Sequence, residues 1–195
     1  MKFAKTVPFF LILIIFIKCT TNNSSKNHLL APDNWRGEII KFPLKFAPSL
    51  KYSGTEYVRF APGWGTENAK DYFSYTFLWE TNENPKLSTK KLESEMETYF
   101  DGLMSMIHEM STESQKEINP SKAFFEKIND SIYIGKVITY DAFITKKDVT
   151  LNIIVNYEFC DLAKKHLAKF NLSPQSPDHS IWKKMDNIVI DKPCE

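Results

Sequence analysis

Residues 71–110 read DYFSYTFLWETNENPKLSTKKLESEMETYFDGLMSMIHEM, and the change of period inside this stretch decides the fold. Over residues 71–80, Phe73, Tyr75, Phe77 and Trp79 alternate with Tyr72, Ser74, Thr76 and Leu78. Period two marks a strand, and a wholly aromatic face belongs on a core. A polar turn with Pro85 follows, and Ser88 stands where a helix N-cap belongs. From there Leu92, Met96, Tyr99 or Phe100, Leu103, Ile107 and Met110 recur at helical spacing, while Glu93, Glu95, Glu97 and Asp101 lie off the stripe on what reads as a solvated face. Gly102 weakens this helix by about 1 kcal/mol relative to alanine, which points to close packing there. So long an amphipathic helix needs a sheet to cover.

Working outward, residues 35–46 read as a strand limited by Pro43 and Pro48 to an edge or a bulge. Residues 57–60 read as a short strand running into the turn-rich loop Ala61-Pro62-Gly63-Trp64-Gly65. Past the helix, residues 122–128, 131–143 and 149–159 form a three-strand meander with one solvated face. Residues 162–170 read as a short helix, residues 173–177 as extended, and Ile181, Trp182 and Met185 as the packing face of a last short helix. Strands and helices are segregated, so the class is α+β. The expectation is a single domain over residues 31–195, with an antiparallel sheet covered by one long helix and a short C-terminal helix. This order, with the stretches Phe60-Ala61-Pro62-Gly63-Trp64 and Ser180-Ile181-Trp182, resembles the Mog1/PsbP-type fold of exported proteins over residues 35–190. The resemblance implies a fold and no activity.

At the N-terminus, Lys2 and Lys5 precede an apolar run too short to span a bilayer, and Cys19 follows at once. Residues 1–18 resemble the signal peptide of a bacterial lipoprotein, which makes Cys19 the lipid-attachment residue and residues 19–30 a flexible tether. The alternatives are an ordinary secretory signal with Cys19 incidental, or an uncleaved anchor. The resemblance implies attachment to a membrane through acyl chains. With Thr20 and no acids after Cys19, the resemblance to lipoproteins further implies the periplasmic face of an outer membrane. With Cys19 acylated, Cys160 and Cys194 remain as an even pair, read as one disulfide in an exported protein or else as two separate thiols.

Losing Lys2, Lys5 and Lys18 takes the formal net charge from +1 to −2. With only Arg36 and Arg59 as arginines and no basic cluster, nucleic acid is not an expected partner. His108-Glu109 lacks a second histidine four residues on, and His166 and His179 are isolated, so neither a metal nor another cofactor is expected. Met96, Met104, Met106 and Met110 share one helix and read as core packing. No nucleophile elbow or phosphate loop occurs, and no catalytic residue is assigned. Cys160 with a histidine, or a buried Asp141 with a raised pKa, would be needed for catalysis.

The function expected is therefore a non-enzymatic binding or assembly module of the cell envelope, with Trp64 and Trp79 as candidate binding-surface residues and an envelope protein as partner. One alternative is a module for a small apolar ligand, with a pocket between sheet and long helix lined by Phe77, Trp79 and Phe100. The other is an envelope hydrolase or thiol redox enzyme.

Overall fold

The computed structural model describes residues 26–111, 117–191 and 194. The elements are β1 (Leu29–Leu30), β2 (Arg36–Lys41), β3 (Gly54–Phe60), β4 (Tyr75–Thr81), α1 (Thr89–Glu109), β5 (Lys122–Lys127), β6 (Ile132–Tyr140), β7 (Asp148–Cys160), β8 (Lys165–Ser173), α2 (Ile181–Asp186) and β9 (Val189–Ile190). All strand pairs among the described residues are antiparallel. Seven strands form one sheet in the order β2-β3-β4-β8-β7-β6-β5, and β1 pairs with β9 in a second. The α+β class, the long helix and the short C-terminal helix agree with the sequence reading.

Helix α1 starts as its sequence dictates: the Ser88 side chain accepts from the Lys91 amide at 3.2 Å. Leu92, Met96, Phe100 and Met104 are buried. They meet Phe77 and Trp79 of β4, Val155 of β7 and Phe170 of β8 in the main core. Phe77 stacks on both Tyr99 and Phe170, with centroids 5.3 and 4.4 Å away. Gly102 lies against the backbone of Phe46 and Ala47, where a Cβ would overlap the Phe46 carbonyl. The close packing expected there is the reason for the glycine.

Three readings are corrected. Residues 162–170 do not form a helix: Lys165–Ser173 is β8, between β4 and β7. A strand covered on both faces loses its period-two signature, so its apolar residues mimic helical spacing. Residues 71–74 turn before β4 begins, and Phe73 takes φ +49°. The tether ends earlier than residue 30. Leu29 is fully buried and paired with Ile190, and Asn27 donates to the Glu38 and Val58 carbonyls.

The second face of β4 is covered too. Leu29, Trp35, Tyr57, Leu78, Leu167 and the α2 residues Ile181, Trp182 and Met185 make a smaller core there. The central strand is thus buried on both faces, while β5 and β6 keep one face open.

Candidate functional site

A cavity of about 760 Å³ lies between the β2–β3 end of the sheet and the C-terminal half of α1. It exists because the apolar stripe of α1 outlasts the sheet's cover. Leu92, Met96 and Phe100 are fully buried, whereas Leu103 and Ile107 are half-exposed and Met110 is 79% exposed. Ile40, Val58, Phe60 and Tyr75 form the floor, and Leu103, Met104 and Ile107 the roof. Floor residues from three strands share one face by register, with Ile40 opposite Glu56, Phe60 opposite Tyr75 and Arg36 opposite Phe60.

One end is closed by aromatic rings. Trp64 packs on Phe60, Phe143 and Phe73 at centroid distances of 4.9, 5.1 and 5.5 Å. Two loops carry these rings, and Asp141 ties them together. Its Oδ1 accepts from the Phe143 and Ile144 amides at 2.9 and 3.0 Å. Its Oδ2 accepts from the Thr145 amide and hydroxyl, both at 2.8 Å, and from the Tyr72 hydroxyl at 2.6 Å. Burial works against the charged carboxylate, but the Tyr72 hydroxyl and the Thr145 and Ile144 donors outweigh it, so its pKa lies below the usual aspartate value. A raised pKa, the condition for a catalytic Asp141, is not met. It is a carboxylate saturated with donors and holds the end wall.

Glu56 is part of the cavity lining between Ile40 and Val58, and is itself 0% exposed. Its Oε1 accepts from Tyr99 Oη at 2.8 Å and its Oε2 from Trp79 Nε1 at 3.0 Å. Burial pushes its pKa up to about 7, against the two hydrogen bonds that favour the charged form. Glu95, in the N-terminal half of α1, also has a raised pKa through burial and accepts from Tyr52 Oη at 2.5 Å. The mouth carries Arg36, Glu38 and Lys45, all exposed. The Arg36 guanidinium stands over the Phe60 ring, 5.7 Å from its centroid.

Of the residues singled out from sequence, Trp64 is half-buried in the cavity wall. Trp79 is 1% exposed and offers no binding surface: alternation placed it on the core face, and its indole N–H is taken by Glu56. Phe77, Trp79 and Phe100 are close-packed core, each at most 1% exposed, and do not line the cavity. Cys160 and Cys194 sit at disulfide distance, Cα to Cα 4.6 Å. Cys19 and residues 1–18 lie outside the described residues. His179 Nδ1 accepts from the Ile181 amide at the start of α2. Met96 and Met104 are buried, while Met106 and Met110 are exposed. Among the described residues no group of three metal-binding side chains occurs, and no helix is long and apolar enough to cross a membrane.

Glu56 escaped the sequence reading, which began the strand at Tyr57. Its signal was an acid in phase with Val58 and Phe60 on an otherwise apolar face. No family description matches this chain, and no curated protein or solved structure matches it.

Proposed function

We propose that this chain is a lipid-anchored, non-enzymatic binding module of the cell envelope, a single α+β domain whose cavity takes up a small, mostly apolar molecule. The observation that carries the reading is the cavity of about 760 Å³ between sheet and helix, walled mostly by aliphatic and aromatic side chains, with its exposed charges at the mouth and one buried carboxyl, Glu56, held by Tyr99 and Trp79. Ligand pockets have this size and this distribution of polarity, roughly 300–1,000 Å³. The anchor is supported by the pattern of residues 1–19, and export to an oxidising compartment by the pairing of Cys160 with Cys194. Membrane attachment at Cys19, on the periplasmic face of an outer membrane, would keep the module beside a source of apolar molecules.

Titration with the neutral fluorophore N-phenyl-naphthylamine tests the cavity. Saturable one-to-one enhancement is expected for the natural chain, and its loss in Ile107→Trp, which fills the roof. Equal enhancement in a folded Ile107→Trp protein sinks the reading. A second reading, an envelope protein as partner, is favoured by Phe124, Ile134 and Ile138, which stand 58%, 39% and 43% exposed on the open face of β5 and β6.

A further inference from the structure

We infer that the ligand of this cavity is an amphiphilic anion: one alkyl or acyl chain lying along β2 beneath α1, with a carboxylate or phosphate-monoester head at the Arg36 guanidinium. The inference rests on the cavity reading above and gives it a ligand class. The cavity follows β2 from Arg36 to Phe42 and Pro43, and six strand residues span about 20 Å. A space that is long, mostly apolar inside, with its exposed polar groups at the mouth and its one buried carboxyl already hydrogen-bonded, fits a chain with one polar end better than a compact polar molecule.

The charge of the mouth selects the sign of that end. Arg36, Lys41 and Lys45 border the cavity against a single exposed acid, Glu38. The three cations are not equivalent. Lys41 turns to the opposite face of β2 and donates to Thr55 Oγ1 at 2.8 Å. Lys45 stands past the other end of β2. Arg36 shares the cavity face with its cross-strand neighbour Phe60, and its guanidinium lies over that ring. Among the described residues no carboxylate lies within ion-pair distance of it. A guanidinium parked on an aromatic ring at the rim of an apolar space keeps its planar fork of donors for a carboxylate or phosphate. A cationic ligand finds only Glu38 at the mouth, two residues from Arg36 on the same strand face, because the Glu56 carboxyl is fully buried and already accepts from Tyr99 and Trp79.

A free fatty acid and a single-chain phosphate lipid share this chemistry, and three probes of equal chain length separate them. Dodecanoate, dodecyl phosphate and dodecanol are titrated below their aggregation limits into the natural chain and into the exposed-residue variants Arg36→Gln and Lys45→Gln. At least one anion is expected to bind the natural chain about tenfold or more tighter than the alcohol, the factor that one charge-assisted hydrogen bond supplies. The tighter anion identifies the source. Arg36→Gln is expected to erase that preference, the anions then binding that variant no tighter than the alcohol does, and Lys45→Gln to keep it. If alcohol and anions bind the natural chain equally, or if Lys45→Gln and not Arg36→Gln erases the preference, the inference is overturned while the cavity reading stands. If none of the three binds saturably, the cavity reading itself falls.

Discussion

At the scale of single residues, the two fully buried carboxyl groups on the cavity side of the fold have opposite electrostatics, and the difference lies in how many donors each receives. Asp141 accepts five hydrogen bonds and stays charged. Glu56 accepts two, from groups that are themselves deep in the core, and burial wins. The consequence for stability has a definite sign. A carboxyl whose folded pKa is raised favours the folded state most below its unfolded value near 4.5, and that contribution is lost as pH climbs through about 7. The shift corresponds to about 3 kcal/mol. Glu56→Gln removes the titration while keeping one acceptor for Trp79 and one donor toward the Tyr99 oxygen. Urea midpoints at pH 4.5 and pH 8 should therefore show the natural chain losing up to about 3 kcal/mol more than Glu56→Gln over this range. Parallel losses in the two proteins would mean that Glu56 does not titrate between them.

At the scale of elements, α1 does more than cover a face. Its acids Glu93, Glu97 and Asp101 accept from the outward amides of Phe125, Ala123 and Ser121, at 3.1, 3.1 and 2.6 Å. The match is geometric. Four helical residues advance about 6 Å and two strand residues about 6.6 Å, so every fourth helix residue meets every second strand amide. The sequence reading took these acids as solvated, because periodicity reveals which helix face is apolar but not that a strand edge lies beside the polar one. The same limit explains β8, where burial on both faces hid the strand, and the tether, whose polar residues Asn27 and His28 bind the fold through hydrogen bonds. Alternation and helical spacing did reveal α1, β4 and the meander of β5 to β7, each with one face richer in apolar residues. A pocket between sheet and helix stood only as an alternative drawn from where such folds often open, and the residues expected to line it, Phe77, Trp79 and Phe100, are close-packed core instead. An edge strand with unsatisfied amides invites pairing with other chains. The double variant Glu93→Ala with Glu97→Ala should speed hydrogen exchange at Ala123 and Phe125, cost about 1–3 kcal/mol for each amide left unsatisfied, and raise the tendency to associate. Unchanged exchange at those two amides would show that the acids are incidental.

At the scale of the whole molecule, the two described ends of the chain meet on the face of the sheet opposite the cavity. Leu29 and Leu30 pair with Ile190 and Val189, the Asp191 amide donates to the His28 carbonyl at 2.7 Å, and Cys194 reaches Cys160 at the end of β7. The Lys26–Asp191 ion pair beside them is largely exposed and contributes little. Two residues per strand give β1 and β9 little holding power of their own. Their support is the small core of Leu29, Trp35, Trp182 and Ile188, and the cross-link that closes the C-terminal segment onto it. In the chain-entropy model a disulfide between cysteines 34 positions apart restricts the unfolded chain by roughly 3–4 kcal/mol. Cys194→Ser should lower the unfolding free energy by up to that amount, and the reduced natural chain should match the variant. Hydrogen exchange should then quicken first at the Asp191 amide, with the cavity strands β3 and β4 protected until global unfolding. If reductant leaves the urea midpoint of the natural chain unmoved, the bond between Cys160 and Cys194 does not hold the ends together, and the export argument built on it loses its support.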